Sequence, residues 1–149
     1  MKERKILSSV FAIIIIFTTS NQHAEGDDWA QWRGLKHDGI ADSNQDPPIK
    51  FSSKKNVLWS TKIPGRGHGS PTIYGDRIFL ATADEKAKTQ TLICLDRLTG
   101  KEIWNKEVHR GGFPQKSNKK ASQASSTPAT DGKLVYINFL NKDAVHTTA

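Results

Sequence analysis

Between residues 57 and 108, short runs of β-branched, aliphatic and aromatic residues alternate with turn residues, and nowhere do apolar positions recur at helical spacing. That pattern predicts strands at 57–63, ending at Pro64-Gly65, then at 71–74, 77–82, 89–95 and 102–108. Gly75-Asp76 has the residues for a tight hairpin turn, because glycine tolerates positive φ and aspartate bonds nearby backbone amides. Asp96 to Gly100 reads as a second turn. The runs Ile78-Phe79-Leu80-Ala81 and Thr91-Leu92-Ile93-Cys94-Leu95 are apolar at successive positions, as expected of strands covered on both faces. The fold class is therefore all-β.

Two internal offsets sharpen this expectation. Val57-Leu58-Trp59 with Ile63 returns as Glu102-Ile103-Trp104 with Val108, 45 residues on, and Pro71, Gly75, Ile78 and Phe79 return as Pro128, Gly132, Val135 and Tyr136, 57 residues on. The difference of 12 fits an insertion in the Lys-, Ser- and Gln-rich stretch 113–124, a surface loop. A four-stranded unit repeating at about 45 residues has the period of a β-propeller blade. Trp59 and Trp104 then supply apolar faces for packing between blades. The hairpin beginning at Leu134 is two residues shorter than the one beginning at Arg77, and the chain stops at Ala149, the position matching Cys94. One blade and part of a second fall short of a closed ring of about four to eight. The expectation is the N-terminal part of a longer protein, one that would fold poorly through open strand edges if it ended here.

The first residues divide the chain. Lys2, Arg4 and Lys5 precede an apolar run, 12 residues if counted from Ile6 to Phe17, and small or polar residues follow as far as Ala24. The run is too short for a membrane span, which needs about 20 residues, and matches a cleaved secretory signal. The expected division is a signal peptide at 1–24, with cleavage after Ser20 as an alternative. An aromatic lead and linker follow at 25–56, then a propeller-repeat domain at 57–149. The expected address is periplasmic or extracellular, with no membrane span after cleavage. Basic residues number 22 against 15 acidic, net +7, and loss of residues 1–24 removes three basic and one acidic residue to leave +5. A single cysteine, Cys94, excludes an intramolecular disulfide and any multi-cysteine metal site.

The stretch Cys94-Leu95-Asp96-Arg97-Leu98-Thr99-Gly100-Lys101-Glu102-Ile103-Trp104 resembles the tryptophan-docking motif of quinoprotein-like, or pyrroloquinoline-quinone-like, propeller repeats. Cysteine stands here in place of the usual alanine. The resemblance implies that Cys94 and Gly100 leave room for indole rings between blades, that Asp96 and Thr99 fix the turn, and that Trp104 is a docking residue. Asp28-Trp29-Ala30-Gln31-Trp32-Arg33-Gly34 with Asp38-Gly39-Ile40 is similar to the N-terminal lead of secreted members. Trp59, Pro71, Gly75, Asp76, Pro128 and Gly132 are the expected blade-packing and turn residues.

Candidate chemistry is sparse. His23, His37, His68, His109 and His146 lack ligand spacing. Asp42-x-Asn44-x-Asp46 imitates the start of a calcium loop, but Pro47 and Ser53 stand where glycine and the bidentate glutamate belong. Gly65-Arg66-Gly67-His68-Gly69-Ser70 lacks the Lys-Ser/Thr and helix of a phosphate cradle and reads as an inter-blade loop. His68 with Ser70 has no third catalytic group. The basic run Lys116 to Lys120, with Arg110, lacks the interleaved aromatics of a nucleic-acid surface. No catalytic, cofactor or metal residue is expected. The resemblance implies a non-catalytic scaffold for a protein, peptide or glycan partner, similar to the repeat lipoprotein of outer-membrane protein assembly. A dehydrogenase using pyrroloquinoline quinone and calcium is the alternative, although its alcohol-oxidising members stack the quinone on adjacent disulfide-bonded cysteines. A sensor domain of a larger architecture is a third possibility.

Overall fold

The computed structural model describes residues 26–114, 118 and 120–149. The expected signal segment and most of the basic run at 116–120 lie outside the described residues. Seven strands form two antiparallel sheets, with no helix among the described residues. The first sheet has the order β1 (Thr72–Tyr74), β2 (Arg77–Asp84), β3 (Thr89–Asp96) and β4 (Glu102–Arg110). The second has the order β5 (Ala129–Thr130), β6 (Val135–Asn141) and β7 (Ala144–Thr148).

Three successive hairpins place β2 and β3 at the centre of the first sheet. β3 buries six of its eight residues, as a strand covered on both faces should. In β6 burial alternates strictly: Ile137, Phe139 and Asn141 face inward, whereas Tyr136, Asn138 and Leu140 are exposed. The inward face lies on the first sheet, and Ala81, Ala83, Leu92, Ala124, Ile137 and Phe139 form one buried cluster. Trp104, Val108, Phe113 and Val135 close its margin.

The hairpin length difference has a local cause. β2 and β3 are joined by four residues, whereas β6 and β7 are joined by Lys142 and Asp143 alone. Both of these residues have positive φ, 48° and 60°, the signature of a two-residue primed turn.

Residues 57–63 do not form the expected strand. They run without a ladder partner, and Leu58 is 81% exposed. An apolar, β-rich run becomes a strand only when a neighbouring strand takes up its backbone groups. Here the side chains of Trp59 and Thr61 anchor the segment to the β3–β4 turn instead.

The lead is tied down more firmly than a linker. Trp29 and Ile73 exchange backbone hydrogen bonds of 2.8 and 3.0 Å, which extends the β1 edge. Ala30 O accepts from Thr130 N at 2.9 Å, so the same segment also reaches the second sheet.

Candidate functional site: the tryptophan-docked turn

The β3–β4 turn begins at Asp96. Its carboxylate Oδ1 accepts from Thr99 N at 2.7 Å and from Thr99 Oγ1 at 2.6 Å. Asp96 N donates to Lys101 O and Gly100 N donates to Asp96 O, both at 2.8 Å. The Thr99 side-chain and backbone hydrogen bonds hold the Asp96 carboxyl below its ordinary range, since both favour the charged form.

Gly100 is buried with φ +68°, and a Cβ there would fall 2.2 Å from Trp59 Cε3. The glycine is thus required twice, by its left-handed backbone and by the indole lying against it. Trp59 Nε1 donates to Arg97 O at 2.9 Å, and Thr61 Oγ1 donates to Gly100 O at 2.6 Å. Two turn carbonyls are satisfied by a segment almost forty residues upstream. Trp104, the repeat counterpart of Trp59, lies 6.0 Å from Phe79 between ring centroids, at the margin of the buried cluster.

Cys94 is fully buried in β3, opposite Trp104 in register. Burial pushes its thiol above the ordinary value. The sulfur packs inside the sheet.

The remaining sequence-selected residues mark equivalent points of the two repeats. Pro128 is buried and its carbonyl accepts from Thr72 Oγ1 at 2.6 Å, whereas Pro71 is exposed. Gly75 has φ +51°, and a Cβ there meets nothing within 4 Å. The carboxylate that meets this turn belongs to Asp28, whose Oδ1 accepts from Gly75 N at 2.8 Å; the neighbouring Asp76 is exposed and uses its backbone carbonyl to accept from Arg97 N at 2.9 Å. Gly132, at φ +88°, lies under the Tyr74 ring, with the Tyr74 hydroxyl 2.6 Å from where a Cβ would stand.

The other candidates fall apart spatially or turn out structural. Asp42 pairs with exposed Lys36 rather than opening an ion-binding loop. In the glycine-rich segment, Gly65, Gly67 and Gly69 press against the carbonyls of Ala83, Ala81 and Ser126 respectively. Arg66 pairs with Ala83, and His68 N donates to Ala124 O at 2.9 Å, so this loop bridges the two repeats. Asp84 closes the β2–β3 turn by accepting from Lys86 N and Ala87 N.

The sequence reading missed a buried amide seam between the sheets. Gln90 Nε2 donates to Gln123 O and Leu140 O at 2.7 and 3.0 Å, and Asn141 Nδ2 donates to Gln90 Oε1 and Gly111 O at 3.1 and 2.7 Å. Polar residues at strand positions gave no signal, since their partners lie 30 to 51 residues away.

Antiparallel sheets stacked in sequence, with a tryptophan of one repeat seated on the turn of the next, define a β-propeller repeat. A family model described as outer membrane protein assembly factor BamB, a pyrroloquinoline-quinone-like repeat family, matches residues 49–147. The chain belongs to this family. Neither the comparison with curated proteins nor that with solved structures gave a match.

Proposed function

We propose that the chain is part of an exported, non-catalytic propeller scaffold that holds a protein, peptide or glycan partner in the periplasm or outside the cell. The observation carrying this reading is the family match over 49–147, whose description is that of an outer-membrane assembly factor. The site chemistry supports it. Asp96 and Thr99 are spent on the turn, Gly100 on Trp59, and Cys94 on packing. No helix of the described residues is long and apolar enough to cross a membrane. Partners are expected at exposed loops such as 65–70 rather than at the docked turn.

Against the quinone of the alternative reading stands the one cysteine of these 149 residues, which is buried in β3 with no second cysteine among them for the stacking disulfide.

The test is cell fractionation with a photo-crosslinking residue placed at exposed Arg66 or His68. The expected result is export, with crosslinks to an envelope protein-assembly component. Retention in the cytoplasm, or dye reduction dependent on pyrroloquinoline quinone and calcium, would overturn the proposal.

A further inference from the structure

The polar end of the inter-sheet seam contains an imidazole with no hydrogen-bond partner for one nitrogen. His109 sits near the end of β4, paired in register with Gln90, and its Nε2 is buried without a partner. Its ring meets Phe139 of β6 edge-on at 6.0 Å and His146 of β7 at 5.2 Å, between centroids. Residues of both sheets thus flank the half-buried ring. His146 is exposed and anchored through Nε2 to Asn141 O at 3.1 Å. The next residue, Lys142, donates its backbone N to Gly112 O at 2.7 Å, across the same seam.

We propose that His109 makes the contact between the two repeats proton-sensitive: neutral imidazole lets β6 and β7 close over it, and protonation loosens that end of the seam. A proton on Nε2 places a charge at an atom shielded from water, with no acceptor to receive it. The titratable groups that act on His109 from the β6–β7 hairpin are His146 and Lys142, and both disfavour its protonated form. On its own strand, Arg110 is already engaged with Glu107. Burial, then His146, then Lys142 hold the His109 pKa below its ordinary value.

The sign follows from linkage. A histidine whose folded pKa is depressed binds its proton more readily in the opened state. The closed seam is therefore fully favoured above the ordinary histidine value, about 6.5, and loses ground as the pH falls below it. Opening becomes easier by up to about tenfold for every pKa unit by which closure depresses the imidazole. The adjoining amide network carries no titrating group, so within the seam the response falls on His109.

The test uses the full chain. The His109 imidazole is titrated by NMR, and amide hydrogen exchange of β6 and β7 is followed from pH 7.5 to 5.5, corrected for intrinsic exchange. The expected result is a His109 titration below that of histidine in an unfolded peptide. Exchange in β6 should accelerate on acidification several-fold more than in the β2–β3 pair. In His109→Gln, which retains polarity without a titrating group, the extra acceleration should vanish. In His146→Gln it should persist at reduced amplitude. A His109 titration at or above the ordinary value overturns the proposal, as does an unchanged response in His109→Gln. Should that variant fail to fold, the wild-type titration and His146→Gln decide by the same criteria.

Discussion

Gly100→Ala tests whether the tryptophan-docked turn contributes to stability. The new Cβ would stand 2.2 Å from Trp59 Cε3, 2.4 Å from Cδ2 and 2.7 Å from Thr61 Oγ1, on a backbone at φ +68°. Left-handed geometry costs an alanine roughly 1–2 kcal/mol. The overlap also forces the indole off the turn, which removes the hydrogen bonds from Trp59 Nε1 to Arg97 O and from Thr61 Oγ1 to Gly100 O. Each contributes about 0.5–1.5 kcal/mol net. The expected loss is about 2–5 kcal/mol, a large share of the ~5–15 kcal/mol typical of a folded domain. Gly75→Ala is the internal control, because its φ is +51° but nothing lies within 4 Å of the added Cβ. That variant should lose only the backbone cost, about 1–2 kcal/mol. Urea unfolding followed by tryptophan fluorescence measures both, and Gly100→Ala should also red-shift the native emission as Trp59 becomes hydrated. Equal losses in the two variants, with unchanged native emission, would refute the docking argument.

Phe139→Ala removes a large, fully buried side chain from the inter-sheet cluster and should cost about 3–5 kcal/mol in the same assay. Thr99→Val deletes the hydroxyl donor to Asp96 and should raise the Asp96 pKa toward its ordinary value, as read by NMR titration. Because the folded Asp96 pKa is depressed, its stabilisation is present above the ordinary aspartate value and lost as the pH falls through the folded one, and Thr99→Val should weaken this acid dependence. Cys94 should react slowly with a thiol reagent in buffer and rapidly in denaturing urea, since its sulfur is buried and its pKa raised. Fast labelling under native conditions would contradict the packing of β3.

Strand periodicity and turn residues carried most of the fold, because both are local. The runs at 77–82 and 89–95 became Arg77–Asp84 and Thr89–Asp96 with little change at their ends. The 57–63 run failed for a non-local reason: its composition suits a strand, but no neighbouring ladder takes it up. The docking motif was visible because Asp96, Thr99 and Gly100 act within one turn. That Trp59 is the indole seated on it follows only from the fold. The carboxylate at the Gly75 turn came from Asp28, 47 residues away, rather than from adjacent Asp76. The Gln90–Asn141 seam was likewise hidden, since a buried glutamine looks in sequence like any surface one.

Two successive repeats pack face to face through a shared apolar cluster, and side-chain NOEs in the full chain would report that packing. Cross-peaks from the Phe139 ring and Ile137 methyls to the methyls of Ala81, Ala83 and Leu92 are expected. Their absence, with hairpin NOEs retained within each sheet, would contradict repeat-on-repeat packing.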